Sequence, residues 1–112
     1  MKLTSLKSSK IETKEGCVAN CLKVLGNKWT GLILAELTGG PKRFNQLEKA
    51  LNGISPRTLS QRLDDLEEYK ILKKASFAEV PPRVEYSLTN KGHDFIPVLK
   101  KMADWGTKYP IN

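Results

Sequence analysis

The chain has 112 residues, enough for one domain around one core. With 39% apolar and 28% charged residues it reads as globular, and its longest strong apolar run, LILA at 32–35, is far short of the roughly 18 residues a membrane span needs. A net charge of +7 points to an anionic partner, with nucleic acid first among the candidates.

The opening stretch MKLTSLKSSKIETKE is basic and polar, and it lacks the apolar block of roughly 7–15 residues that marks a secretion signal. A cytoplasmic protein is the expectation. Residues 1–14, with Lys2, Lys7, Lys10 and Lys14, read as a flexible basic arm ahead of one folded domain at 15–112. A first helix is predicted over about 15–25, where Val18, Cys21, Leu22 and Leu25 fall at i, i+3, i+4 and i+7. Gly26 stops it. Asn27 is a candidate N-cap for a strongly apolar second helix, about 28–38, which Gly39, Gly40 and Pro41 end. Phe44, Leu47 and Leu51 mark a short third helix, with Asn45 near its start and Gly53 breaking it.

Ser55-Pro56 opens a fourth helix, serine suiting the N-cap and proline the first helical position. Leu59, Leu63 and Leu66 give it a core face. Two extended runs follow near 71–79 and 83–88, separated by Val80-Pro81-Pro82. In the second, Val84, Tyr86 and Leu88 alternate with Arg83, Glu85 and Ser87, the pattern of a half-buried strand. Thr89 is predicted to cap a last helix carrying Phe95, Ile96, Val98, Leu99, Met102 and Trp105. Pro97 must either kink that helix or mark its true start. A short helix, a tight turn at Asn52-Gly53, an amphipathic helix and then a hairpin predict a mainly α fold with a small β-hairpin, a winged helix-turn-helix.

The fourth helix carries an odd order of charge. Its hydroxyls and arginines come first and its acids, Asp64, Asp65, Glu67 and Glu68, come last. Stability alone asks for cations at the last turn, against the negative end of the dipole. From 42 to 62 there are five basic residues and one acid. The pattern fits a helix that docks on DNA by its N-terminal half, as second helices of helix-turn-helix units do. Arg57 and Gln61 carry donors suited to guanine or adenine edges. Ser55, Thr58 and Ser60 suit phosphate or bases, and Arg62 shares their side while standing within reach of Asp65 or Glu68. Arg43, Lys73 and Lys74 are candidates for backbone contacts. Arg83, beside the stiff Pro81-Pro82 loop, suits a minor groove or a phosphate.

The runs GNKWTGLIL (26–34), RFNQLEKALNGISPRTLSQRLDDLE (43–67) and EVPPRVEYSLTNKG (79–92), with Trp105 beyond them, resemble the HxlR-type family of bacterial regulators, relatives of the MarR-type winged-helix proteins. The resemblance covers nearly all of 17–105. It implies a homodimeric regulator of transcription that binds double-stranded DNA at an inverted-repeat operator. The recognition helix is then at 55–68 and the wing at about 73–88. It also implies dimerisation through the first and last helices, in keeping with their apolar surplus at Val18, Leu22, Ile96, Leu99 and Trp105. Many family members have a cysteine just before the first apolar helix, here Cys17, and in some it senses oxidants or electrophiles. A position near a helix N-terminus lowers a thiol pKa. Cys17 and Cys21 are four apart, which holds Cβ atoms roughly 5–6 Å apart on a helix, against about 3.8 Å in a disulfide. That spacing disfavours an intrahelical bridge and leaves pairing between subunits open.

Two other classes of function compete with this one. An enzyme finds little support: His93 is the one histidine, no Gly-rich phosphate loop is present, and Cys17 and Cys21 lack CxxC spacing. Neither a metal nor a cofactor is expected. A basic adaptor that binds protein or RNA predicts no preference among duplex sequences, and the lack of interleaved aromatics argues against single-strand binding.

Overall fold

A computed structural model describes residues 18–111. The basic arm expected at 1–14, and Cys17, lie outside the described residues. Helix α1 spans Val18–Leu25 and α2 spans Lys28–Leu37. Asn27 caps α2 as its sequence position suggests: its Oδ1 accepts the Trp29 N–H at 2.9 Å and the Thr30 N–H at 3.2 Å. A short strand β1, Lys42–Arg43, leads into α3, Phe44–Ala50. Helix α3 begins just before Asn45, and Gln46 Oε1 holds the Arg43 N–H at 2.8 Å.

Helix α4 runs from Pro56 to Glu68, with Pro56 in its first turn. Ser55 Oγ accepts the Thr58 N–H at 3.1 Å, so serine caps and proline starts the helix. Leu59, Leu63 and Leu66 are buried, packed in one cluster with Ile33, Leu34, Leu37 and Leu47. Burying a leucine side chain contributes about 1.5–3 kcal/mol, so these three fix α4 on the core by one face and leave the other in solvent.

Strands β2, Leu72–Phe77, and β3, Arg83–Leu88, form the hairpin, with Leu72 opposite Leu88 and Phe77 opposite Arg83. The sheet differs from the expected hairpin in one respect: β1 pairs with the far side of β3, Lys42 opposite Tyr86 and Arg43 opposite Glu85. The order is β1-β3-β2. A two-residue strand carries no periodicity to read. Its presence makes β3 the middle strand. Arg83 through Ser87 are all half-buried, without the expected alternation.

Thr89 caps a single turn, α5, Asn90–His93, and the long last helix α6 starts afresh at Ile96 and ends at Lys108. Pro97 therefore marks a true helix start, where its missing N–H costs nothing. None of the residues of α6 is fully buried. Ile96 and Leu99 lean on the core, while Val98, Met102 and Trp105 are exposed on another face. Among the described residues no helix is long and apolar enough to cross a membrane. The connected order of α3, turn, α4 and the β2-β3 wing is a winged helix-turn-helix.

Candidate nucleic-acid interface

The exposed face of α4 is built by its period. Arg57, Ser60, Gln61 and Asp64 fall at i, i+3, i+4 and i+7, and all four are exposed. Arg57 makes no ion pair among the described residues, and its i+3 and i+4 neighbours are neutral. Its five guanidinium N–H donors therefore have no anionic partner among them. The helix dipole adds partial positive charge at the same end. Arg57, Ser60 and Gln61 together make a donor-rich surface at the front of α4.

The other predicted residues of α4 are partly engaged in holding the helix. Ser55 Oγ caps the helix and donates to Thr58 Oγ1 at 2.9 Å. Ser55 is thus first of all a cap, while Thr58 Oγ1 only accepts in this pair and its own O–H is not used there. Arg62 is half-buried and paired with Asp65 through Nη2 at 3.1 Å. The in-helix pairing suspected for Arg62 is present, and it turns that arginine toward the acidic rear.

Arg83 departs most from expectation. It does not stand as an open guanidinium at the wing tip; it is the first residue of β3. Its Nη2 pairs with Glu79 Oε2 at 3.0 Å, its Nε lies 3.7 Å from Glu85 Oε2, and its guanidinium stacks 4.1 Å from the Phe77 ring centre. The cause is register. Phe77 faces Arg83 across the ladder, and Glu85 lies two residues on, on the same side of the strand. Val80 of this loop is fully exposed.

Lys73 and Lys74 are both exposed on β2, but a strand turns successive side chains to opposite faces. Lys73 lines a cleft with Pro41, Ser87 and His93. Lys74 shares the other face with Tyr86, whose hydroxyl burial pushes above its usual range; Lys74 pulls it back, and Asp64 and Glu67 push it further up. Lys74 is thus placed beside the acidic rear of α4. Arg43 is exposed opposite Glu85 on the sheet edge. Among the described residues no cluster of three His, Cys, Asp or Glu is placed to hold a metal ion.

The residues expected to pair two subunits divide into two groups. Leu22 and Trp105 are exposed, at 61% and 62%. Val18 is half-buried, as are Ile96 and Leu99, which pack on the chain's own core. Val98, Met102 and Trp105 form a stripe at i, i+4 and i+7 along α6. Tyr109, the C-cap, extends it with its ring 5.4 Å from that of Trp105, a contact that lies beyond the helix and outside its spacing.

A helix-turn-helix whose second helix presents a donor-rich front, followed by a wing, defines a winged-helix DNA-binding regulator of transcription. The chain belongs to the HxlR-like helix-turn-helix family, whose model matches residues 24–111. It is 43% identical over 96 residues to the HTH-type transcriptional regulator YdeP of Bacillus subtilis, spanning 85% of this chain and 75% of YdeP. Among solved structures it is similar to a MarR-family transcriptional regulator from Porphyromonas gingivalis W83, with a TM-score of 0.81 and 35% identity over 90% of this chain and 99% of that one. It is similar also to the redox regulator HypR in its oxidized form, with a TM-score of 0.79 and 35% identity over 85% of this chain and 98% of HypR. These relatives are regulators of transcription, not enzymes.

Proposed function

We infer that the chain acts as a homodimer on an inverted-repeat operator, each protomer placing the front of α4 in a major groove. The observation that carries this reading is the contrast along α4: Arg57, Ser60 and Gln61 exposed at the front, and Asp64, Asp65, Glu67 and Glu68 gathered at the rear. The apolar stripe Val98, Met102, Trp105 and Tyr109, with Leu22 on α1, supports pairing of two copies. Two-fold symmetry then sets half-site centres about 34 Å apart, or a multiple of that. Duplexes selected from a random-sequence library, with sedimentation of free and bound protein, test the proposal. Recovery of an inverted repeat bound by a dimer is expected. A monomer at micromolar concentration, free and bound, contradicts it, and equal affinity for selected and scrambled duplexes returns the reading of a basic adaptor.

A thiol response is the second part of the reading. The likeness to HypR, named a redox regulator, supports it, with Cys17 as the candidate and half-buried Cys21 in α1 as a second thiol. Diamide is expected to change affinity for the selected duplex in the parent protein and in Cys21→Ser, but not in Cys17→Ser. An unchanged response in Cys17→Ser removes Cys17 from the role.

A further inference from the structure

The block SLTNKG, 87–92, lies between the wing and the last helix, away from the exposed front of α4. Three of its residues touch the turn at 69–71 that closes that helix. Thr89 Oγ1 lies 2.5 Å from the Lys70 carbonyl oxygen and 3.1 Å from that of Ile71, its one proton shared between them. The Thr89 N–H also donates to the Ile71 carbonyl, at 3.0 Å. Lys91 Nζ donates to the Tyr69 carbonyl at 2.7 Å. Gly92 is buried against the same turn, where a Cβ would run into the Ile71 carbonyl oxygen.

These acceptors lie just past the helix: Tyr69 is its C-cap, and Lys70 and Ile71 are the two residues of the turn that closes it. Helix α4 closes with two reversed bonds, the Ile71 N–H to Leu66 O at 2.9 Å and the Lys70 N–H to Glu67 O at 3.0 Å. That ending forces Lys70 to φ +64°, a left-handed conformation that a residue with a Cβ adopts at a cost. The carbonyl of this strained residue is the one Thr89 takes. The same Thr89 oxygen accepts the Gly92 N–H at 3.1 Å and so starts α5. From there two bonds lead through Phe95 into α6: Phe95 N–H to Gly92 O at 3.0 Å and Leu99 N–H to Phe95 O at 3.1 Å. One residue thus fastens the end of α4 to the lead of α6.

We propose that Thr89, Lys91 and Gly92 are positioning residues for DNA recognition: they set the angle at which α4 leaves the core relative to α6. The proposal rests on the reading of α4 as the docking helix and α6 as the pairing helix. The leverage is geometric. Helix α4 is about 20 Å long, so a tilt of about 5° at its rear moves its front by roughly 2 Å. Hydrogen bonds to base edges do not survive such a shift, whereas attraction to phosphate tolerates it. Clamp residues therefore act on discrimination between sequences and leave general affinity for DNA alone.

The test measures affinity for the tightest-binding duplex recovered from a random-sequence library and for a scrambled duplex of equal length, at several salt concentrations, with the melting temperature of each variant. Thr89→Val removes the hydroxyl and keeps the shape; Lys91→Met removes the donor and keeps the stem. Each is expected to weaken binding to the selected duplex about fivefold, the scale of one hydrogen bond, with scrambled-duplex affinity and salt slope unchanged. Thr89→Ser and Lys91→Arg are expected to restore the loss. A parallel loss on both duplexes overturns the proposal, as does a lower melting temperature with discrimination intact. A reduced salt slope in Lys91→Met makes Lys91 a phosphate contact and overturns its part. Arg57→Ala serves as the control: if it leaves affinity for both duplexes unchanged, the docking reading of α4 fails first and the clamp proposal falls with it.

Discussion

The dipeptide Pro-Arg occurs at the start of α4, as Pro56-Arg57, and at the start of β3, as Pro82-Arg83. The two arginines end in opposite situations. On the helix, neighbours at three and four residues meet the side chain, and here they are Ser60 and Gln61, which leave the charge uncommitted. On the strand, the cross-ladder partner and the second residue along meet it, and here they are Phe77 and Glu85, with Glu79 closing from the loop. An arginine's availability to DNA is set by the period of the element that carries it, and counting basic residues does not reveal it.

The largest break in this comparison comes from removing what both regions stand on. Leu63 is buried under the middle of α4, and Leu63→Ala is expected to cost about 2–5 kcal/mol in denaturant unfolding. A loss below 1 kcal/mol by the same measurement contradicts a docked α4. The next effect sharpens the contrast. Arg57→Ala is expected to cost about 1–3 kcal/mol on the selected duplex, and less on a scrambled one. An equal loss on both makes Arg57 a phosphate contact. Ser55→Ala removes the cap that starts α4, and about 1 kcal/mol of stability should go with it, read from the shift in denaturation midpoint. Arg83→Ala is the smallest. Its ion pairs are partly exposed, so the change should cost less than about 1 kcal/mol of stability. Its salt slope for DNA should stay at the parent value, because that guanidinium is already paired. A slope lower by roughly two units per dimer would show that the pairs open and Arg83 reaches phosphate.

Much of the fold was legible because its signals are local. Asn27 and Ser55-Pro56 start helices by capping chemistry that needs only three or four neighbouring residues. Leu59, Leu63 and Leu66 declare one face by spacing alone. Pro97 left two alternatives, and the break at Phe95 decides for a new helix. What sequence left dark depends on residues distant along the chain. Strand β1 is two residues long and exists through its pairing with Tyr86 and Glu85. Arg83 looked open because its partner Phe77 is defined only by hairpin register. Lys73 and Lys74 looked equivalent because the faces of a sheet are distinguished by what packs on them. Thr89 is the helix cap its position suggests, but its bonds to Lys70 and Ile71 span 18 or 19 residues.

The central claim is that the front half of α4, and not its rear or the wing, meets DNA. An amide chemical-shift titration of uniformly labelled protein with the selected duplex tests it most directly. The account predicts that the largest perturbations fall on Arg57, Ser60, Gln61 and their neighbours, with small changes at Asp64 to Glu68 and at Phe77 to Arg83. Perturbations concentrated in the wing or at the acidic rear, with the front of α4 unmoved, would contradict it.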